Sequence, residues 1–110
     1  VIPIPKKNMK AYLSMARVGK KTWMKHGAVG YYECAAEDMK NAWGNTFPKL
    51  AKLKRGETVV VAFIVFKSRA HRDRVNAKVM KEFASAGVEM GMPFDVKRST
   101  YGGFKVIVGT

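Results

Sequence analysis

Residues 57 to 67, ETVVVAFIVFK, place the strongest constraint on the fold of this chain. The interior of the segment is almost entirely β-branched or aromatic and hardly alternates with polar residues, which is typical of a strand buried on both faces. Helices of the same chain can cover one face of the sheet that contains this strand. The pattern therefore predicts that a partner subunit covers the other face.

Five further segments complete a pattern of helices and strands. The first strand is stopped by its prolines, and the first helix ends at Gly27, a residue suited to the position after a helix. Ser68 is placed to cap the second helix. The elements run strand, helix, strand, strand, helix, strand, over residues 1–5, 6–26, 28–35, 57–67, 69–84 and 104–109. This order predicts an α+β fold of the ferredoxin-like βαββαβ type, with an antiparallel sheet and both helices on one face.

The spacing of apolar residues indicates which faces form the core. On the first helix, a stripe at intervals of three and four residues should pack on the sheet, and it comprises Met9, Tyr12, Ala16, Gly19 and Trp23. In the strand 28–35, alternation places Tyr31 and Glu33 on one face and Cys34 on the other. We expect Cys34 to be a small buried hydrophobe, because no neighbouring pattern of His or Asn suggests an activated thiol. Residues 37–49 are predicted to form an irregular crossover.

Length and composition define the broad class. A chain of 110 residues is expected to form one domain over residues 1–110. It contains neither an apolar run long enough to span a membrane nor a recognisable leader peptide, so we expect a soluble cytoplasmic protein. One cysteine and two histidines predict no disulfide, no metal site and no cofactor.

The formal net charge of +13 is the most unusual bulk property. Residues 1–32 contain seven lysines and arginines and no acid. Such a field favours polyanions and predicts at least non-specific binding to nucleic acid. The alternative interpretation is a solvated basic surface, since net charge governs solubility more than fold.

The segment 92–104, MPFDVKRSTYGGF, supports two interpretations. In the first, Asp95, Arg98 and Tyr101 form the polar rim of a pocket together with His71 and Arg72, and Arg98 holds an anionic ligand. In the second, the prolines and glycines are turn residues that direct the last strand, MPF is an apolar plug, and the charges of the segment pair locally. The sequence favours the second interpretation.

Four stretches resemble one protein family: IPIPKKN (2–8), ETVV (57–60), KSRAHRDRVNAKVM (67–80) and MPFD with KR and YGGF (92–104). Together they are similar to the DUF1428 family of small bacterial proteins. The resemblance implies a dimeric ferredoxin-like α/β barrel, in which a second subunit covers the open sheet face. It implies no activity, because none is assigned to the family. It also implies that the opening strand is truncated here.

No enzyme signature is present, since the sequence lacks a nucleophile elbow, a P-loop, a cysteine and histidine dyad and a carboxylate cluster. Three hypotheses remain. The first is a homodimer that binds a small ligand, possibly anionic in character by its charge complementarity, in a pocket lined by Tyr12, Trp23, Phe63, His71, Arg72, Asp95, Arg98 and Tyr101. The second is a basic, non-specific nucleic-acid binder. The third is a self-assembly or interaction module, natural or engineered, whose surface comprises Leu13, Arg17, Lys20, Met24 and Trp43.

Overall fold

A computed structural model describes residues 1–41, 43–86 and 92–109. In these ranges, three strands form one sheet: β1 (Ile2–Pro5), β2 (Gly30–Ala35) and β3 (Glu57–Val65). The helices are α1 (Met9–Lys25), α2 (Phe47–Leu50) and α3 (Arg69–Ser85), and turns of 3-10 helix lie at Lys6–Asn8 and Val96–Arg98. The predicted first helix thus begins with a 3-10 turn, and the predicted crossover contains the short helix α2.

The sheet has the order β1-β3-β2, and β3 pairs antiparallel with both neighbours. Ile2 lies opposite Val60 on one side of β3, and Tyr32 lies opposite Phe63 on the other. Because β1 and β2 are parallel and separated by a later strand, this is the arrangement of a split βαβ unit. The mixed α+β fold is therefore consistent with the ferredoxin-like class that the sequence predicts.

Both long helices lie on the same sheet face, where they form two adjoining parts of the core. Under α1, the buried residues are Ile4, Tyr12, Ala16 and Val60. Under α3, they are Ala28, Val75 and Val79, with Trp23, Ile64, Phe66 and Phe83 packed around them. The predicted packing stripe of α1 is confirmed, because Tyr12, Ala16 and Gly19 are buried.

The ends and close contacts of the helices follow from single residues. Gly27 has a φ of +109°, the left-handed conformation that favours glycine directly after α1. Ser68 caps α3, since its Oγ accepts a hydrogen bond of 3.1 Å from the backbone N–H of His71. A Cβ at Gly19 would lie 2.6 Å from the Tyr31 hydroxyl, so α1 approaches β2 closely only because Gly19 has no side chain.

Three predictions need correction. The predicted strand 104–109 is absent from the part of the sheet that the structure describes, and residues 101–109 form no regular element. Cys34 lies within β2 as predicted, but its side chain is exposed rather than buried, because it points to the sheet face that carries no long helix. The predicted turn over residues 85–93 falls partly on 87–91, which lie outside the described residues.

Candidate functional site

The sheet face opposite α1 and α3 is apolar and only partly covered. We call it the open face, and it carries the side chains of Tyr32, Cys34, Val59, Val61, Phe63 and Val65. Tyr32 and Phe63 are 51% and 50% exposed, and their rings stack with centroids 4.9 Å apart. Val59 at the other end of this face is only 1% exposed. The open face therefore has a covered part and an uncovered aromatic part.

The covered part contains an apolar cavity. Its volume is about 150 Å³, and its lining comprises Cys34, Ala35, Ala36, Met39, Phe47, Val59 and Val61. Met39 and Phe47 come from the connection between β2 and β3, which crosses the open face and ends in α2. Thr46 fixes the start of α2, because its Oγ1 accepts a hydrogen bond from the backbone N–H of Lys49. The cavity is open to solvent on one side and offers Cys34 as its one thiol.

On the helix face, one carboxylate joins two tyrosines. The Tyr12 hydroxyl donates to Glu33 Oε2 at 2.6 Å, and the Tyr31 hydroxyl donates to Glu33 Oε1 at 2.8 Å. Burial, together with the hydrogen bond to Glu33, raises the pKa of both tyrosines well above the ordinary value. Both phenols therefore remain protonated donors at neutral pH. This cluster connects α1 to β2 and is closed off from the open face by the sheet.

Arg98 is committed to an ion pair rather than to a ligand. Its guanidinium donates to both carboxylate oxygens of Glu57, at 2.6 and 2.8 Å, and to the backbone oxygen of Lys52 at 3.0 Å. The hydrogen bond from Arg98, with a second one from the Lys54 backbone N–H, lowers the pKa of Glu57 to about 2. Glu57 in turn raises the pKa of Arg98. Asp95, the nearest acid in sequence, instead accepts from the backbone N–H of Lys97.

The structure places the predicted pocket residues at separate positions. Arg98 binds Glu57 at the start of β3, whereas His71 packs edge-on against Phe66, just after β3 ends. At about 3.3 Å per residue, the two ends of this strand are about 25 Å apart. Tyr101 is 97% exposed. Within one chain, Arg98 and His71 are therefore too distant to hold the same small ligand.

The remaining residues of that set serve the core or lie on other surfaces. Tyr12 is buried, and Trp23 Nε1 donates to Asn76 Oδ1 at 3.0 Å between α1 and α3. Phe63 lies on the open face. Arg72 binds Asp73, its neighbour in sequence, at 3.0 Å. Phe94 packs against Tyr12, with ring centroids 5.8 Å apart, so the predicted apolar plug is present.

The outer side of α1 is basic with apolar residues at its margin. Lys10, Arg17, Lys20 and Lys21 are exposed, and Leu13 and Met24 are 44% and 40% exposed on the same side. Trp43, the other residue predicted for an interaction surface, is 87% exposed but belongs to the connection that crosses the open face. Leu13, Arg17, Lys20 and Met24 thus share one surface, which excludes Trp43.

Sequence reasoning missed the residues that line the cavity. Met39 and Phe47 lie in an irregular segment, where no periodicity indicates direction. The Glu33 cluster was within reach, because strand alternation had placed Tyr31 and Glu33 on one face and helical spacing had placed Tyr12 opposite them. Among the described residues, His, Cys, Asp and Glu side chains form no group of three able to hold a metal ion. None of the helices in those ranges is long and apolar enough to cross a membrane.

Fold and site define a ferredoxin-like α+β domain with one open apolar sheet face. The chain belongs to the DUF1428 family, described as proteins of unknown function, whose family model matches residues 1–96. The resemblance that the sequence motifs indicated is thereby confirmed.

The bacterial relatives carry no assigned activity in their names. The uncharacterized protein YbaA of Escherichia coli K12 is 32% identical over 108 residues, which cover 98% of this chain and 92% of the relative. The proteins of the same name in Escherichia coli O157:H7 and Shigella flexneri match to the same extent. This similarity extends past residue 96 into the C-terminal segment.

Proposed function

We propose that the chain acts as a homodimer that binds a small, mainly apolar molecule over the open face. The observation that carries this proposal is the open face itself. It combines a half-exposed aromatic stack, Tyr32 on Phe63, with an apolar cavity beneath Met39 and Phe47. An apolar patch of this kind on a sheet is typical of an interaction site. The lack of alternation in β3 supports burial of this face in the working protein.

A second copy is the partner that fits this face best. Two identical sheets related by a two-fold axis present the same patch to each other, so Tyr32 and Phe63 of each copy can pack together. Aromatic residues of this kind are enriched at the centres of protein interfaces. The family resemblance also implies a dimeric barrel. The second sheet would close the open side of the cavity and enlarge the space available to a ligand.

The lining of the cavity limits the class of ligand. About 150 Å³ is the volume of an apolar cavity that accommodates benzene, so one copy alone holds only a few non-hydrogen atoms. The walls select an apolar body through burial rather than through hydrogen bonds. The formal charge of +13 favours a molecule that also carries a carboxylate. Arg98 is not part of this proposal, because Glu57 and Lys52 already occupy its donors.

Sedimentation of a charge variant tests the dimer. Phe63→Lys places a cation at the centre of the open face and should yield a monomer at micromolar concentration, where the unmodified chain sediments as a dimer. Leu13→Lys is the matched control, because Leu13 is exposed to a similar extent, 44% against 50% for Phe63, but lies on α1. The control should remain dimeric. A monomeric unmodified chain would refute the dimer.

The reactivity of Cys34 tests the ligand site. Cys34 is the single cysteine and lines the cavity, so its reaction rate with a thiol reagent reports on access to that space. Aromatic and short-chain carboxylic acids, each compared with the corresponding alcohol, should slow labelling and raise the melting temperature. Phe47→Ala should abolish this protection, whereas Trp43→Ala in the same connection should preserve it. Labelling rates that no compound changes would argue against the site.

A second candidate function, polyanion binding, is supported by the basic side of α1. Residues 1–32 contain no acid, and Lys10, Arg17, Lys20 and Lys21 are all exposed. The surface is one side of a regular helix, so it can follow a phosphate backbone without being able to read bases. The same surface, with Leu13 and Met24 at its margin, is the candidate for self-assembly.

A further inference from the structure

The sheet has an unfilled position along one edge of β3. β1 lies opposite residues 57–60 of β3, whereas β2 lies opposite residues 60–65. On the β1 side, residues 61–65 therefore have no strand beside them in the part of the chain that the structure describes. The Ala36 N–H donates to the Val59 oxygen, which shows that odd-numbered residues of β3 face β2. Because antiparallel ladders alternate, the backbone groups of Ala62 and Ile64 face the unfilled side.

The C-terminal segment has the complementary property of being a strand sequence without a sheet. Residues 104–109, FKVIVG, are rich in β-branched residues. Their apolar side chains are largely exposed, with values of 96% for Phe104, 72% for Val106, 89% for Ile107 and 90% for Val108. Such a run of exposed apolar residues is costly in water and is typical of a segment that pairs with another chain.

The course of the chain before this segment is fixed at two points. Val1 and Thr100 exchange two backbone hydrogen bonds, of 2.8 and 3.0 Å, which is the start of an antiparallel pairing. Two residues later in the segment, Gly103 lies so close to Arg72 that a Cβ there would overlap the guanidinium. Residues 104–109 thus leave the domain from a defined position near the start of α3.

The geometry at Thr100 disfavours insertion of this segment into the unfilled position of its own chain. Thr100 lies beside Val1 on the side of β1 away from β3, so direct continuation of that pairing runs one strand further out. With strands about 4.8 Å apart, this course lies about 10 Å from β3 and leaves a gap one strand wide. A strand from another molecule can fill that gap.

We propose that residues 104–109 of one copy pair with the unfilled edge of β3, residues 61–65, in a second copy, and that the exchange is reciprocal. Strand addition to an edge satisfies the backbone groups of Ala62 and Ile64 and removes the apolar segment from water. Reciprocal exchange also satisfies two-fold symmetry, since each copy gives one strand and receives one. The inference rests on the homodimer of the proposed function and adds the element that joins the two sheets.

A mixing experiment tests the exchange. Two proteins are prepared in the background Cys34→Ser, one with Ala62→Cys and the other with Val106→Cys, mixed, and treated with a short bis-maleimide. The exchange predicts a covalent pair that contains one copy of each, identified by mass spectrometry. The control mixture replaces Ala62→Cys by Lys20→Cys, on the outer side of α1, and should give no such pair.

A proline variant provides an independent measurement. Ile107→Pro removes a backbone donor within the exchanged strand and should weaken the dimer about tenfold, since each copy loses a ladder hydrogen bond. Val96→Pro, a matched change before Thr100, serves as a comparison for general effects, and circular dichroism verifies folding. A Phe63-dependent dimer that gives no mixed cross-link and ignores Ile107→Pro would overturn the exchange but leave the proposed function standing. Cross-links confined to a chain that carries both cysteines would also overturn it, and a monomer at every concentration would overturn both proposals.

Discussion

The carboxylate of Glu57 ties the first residue of β3 to the segment after α3. The Glu57 side chain is only 9% exposed and accepts two hydrogen bonds from Arg98. Partly buried, bidentate pairs of this kind are stronger than ordinary surface ion pairs. Asn8 adds a second tie to the same segment, since its Nδ2 donates to the Pro93 oxygen at 2.8 Å.

The depressed pKa of Glu57 predicts a defined acid response. Its pKa is about 2 in the folded chain against an ordinary 4.5, so its contribution to stability is complete above about pH 4.5 and is lost as the pH falls toward 2. Arg98→Met should destabilise the chain at pH 7, and the difference from the unmodified chain should shrink through this window. Urea unfolding between pH 7 and pH 2 measures it. Asp73→Asn, at an exposed pair, should behave like the unmodified chain, and an Arg98→Met deficit that is constant with pH would contradict the assignment.

The Glu33 cluster predicts a cost for losing one hydroxyl. Tyr12→Phe removes a hydrogen bond to a charged carboxylate and should lower the free energy of unfolding by about 1.5 to 3 kcal/mol. The raised pKa of Tyr12 also means that the unfolded chain releases its proton first, so stability should fall as the pH rises above about 10, and Tyr12→Phe should weaken that fall. Tyr32→Phe on the open face is the control. Equal losses for the two variants would show that the hydrogen bond to Glu33 contributes little.

At the scale of elements, each helix depends on local signals that a sequence displays. Ser68 is followed by the apolar spacing of Val75 and Val79, and α3 begins directly after Ser68 as predicted. The Ser68 hydroxyl satisfies the His71 backbone N–H, which would otherwise lack a partner in the helix.

The cap predicts a measurable loss of stability. Ser68→Ala should lower the free energy of unfolding by about 1 kcal/mol, because it removes the acceptor at the start of α3. Ser14→Ala provides the comparison, since Ser14 lies within α1, is exposed, and donates only to the Lys10 oxygen. Chemical denaturation should show no loss for Ser14→Ala. A similar loss in both variants would indicate a general effect of removing serine.

The strands mark the limit of such local reasoning. The apolar run of β3 and the alternation of β2 were sufficient to predict both strands and the direction of Glu33. The segment 104–109 has an equally suitable pattern, yet forms no strand, because a strand also needs a neighbour whose edge is free at the right position. The pair of Glu57 and Arg98 was likewise invisible, since its members are 41 residues apart in the chain and no periodicity connects them. Local pattern therefore predicts which residues face the core, and long-range pairing decides which edges and ion pairs form.

At the scale of the whole molecule, the two sides of the domain differ in chemistry. The open face is apolar, whereas the outer side of α1 carries Lys10, Arg17, Lys20 and Lys21. A dimer joined through the open faces would therefore expose two basic helix layers, one on each side. Such a particle has no neutral side on which to approach a polyanion.

This charge distribution predicts binding to nucleic acid that weakens steeply with salt. The quadruple change of Lys10, Arg17, Lys20 and Lys21 to Gln should reduce affinity equally for unrelated oligonucleotides and lower the slope of log affinity against log salt, because phosphate contacts carry no sequence information. Fluorescence anisotropy across a salt series measures both quantities. Replacement of Lys49, Lys52, Lys54 and Arg55 by Gln is the control of equal charge. Sequence-selective binding that persists at high salt would contradict a purely electrostatic surface.

The formal charge of +13 also acts between copies of the chain, which repel each other before their open faces can touch. Added salt shortens the range of that repulsion, from about 30 Å at 0.01 M to about 8 Å at 0.15 M. Self-association should therefore tighten with ionic strength while attachment to a polyanion loosens. The two equilibria respond to salt with opposite signs, so the ionic environment selects between a dispersed chain held on an anionic polymer and a freely diffusing pair.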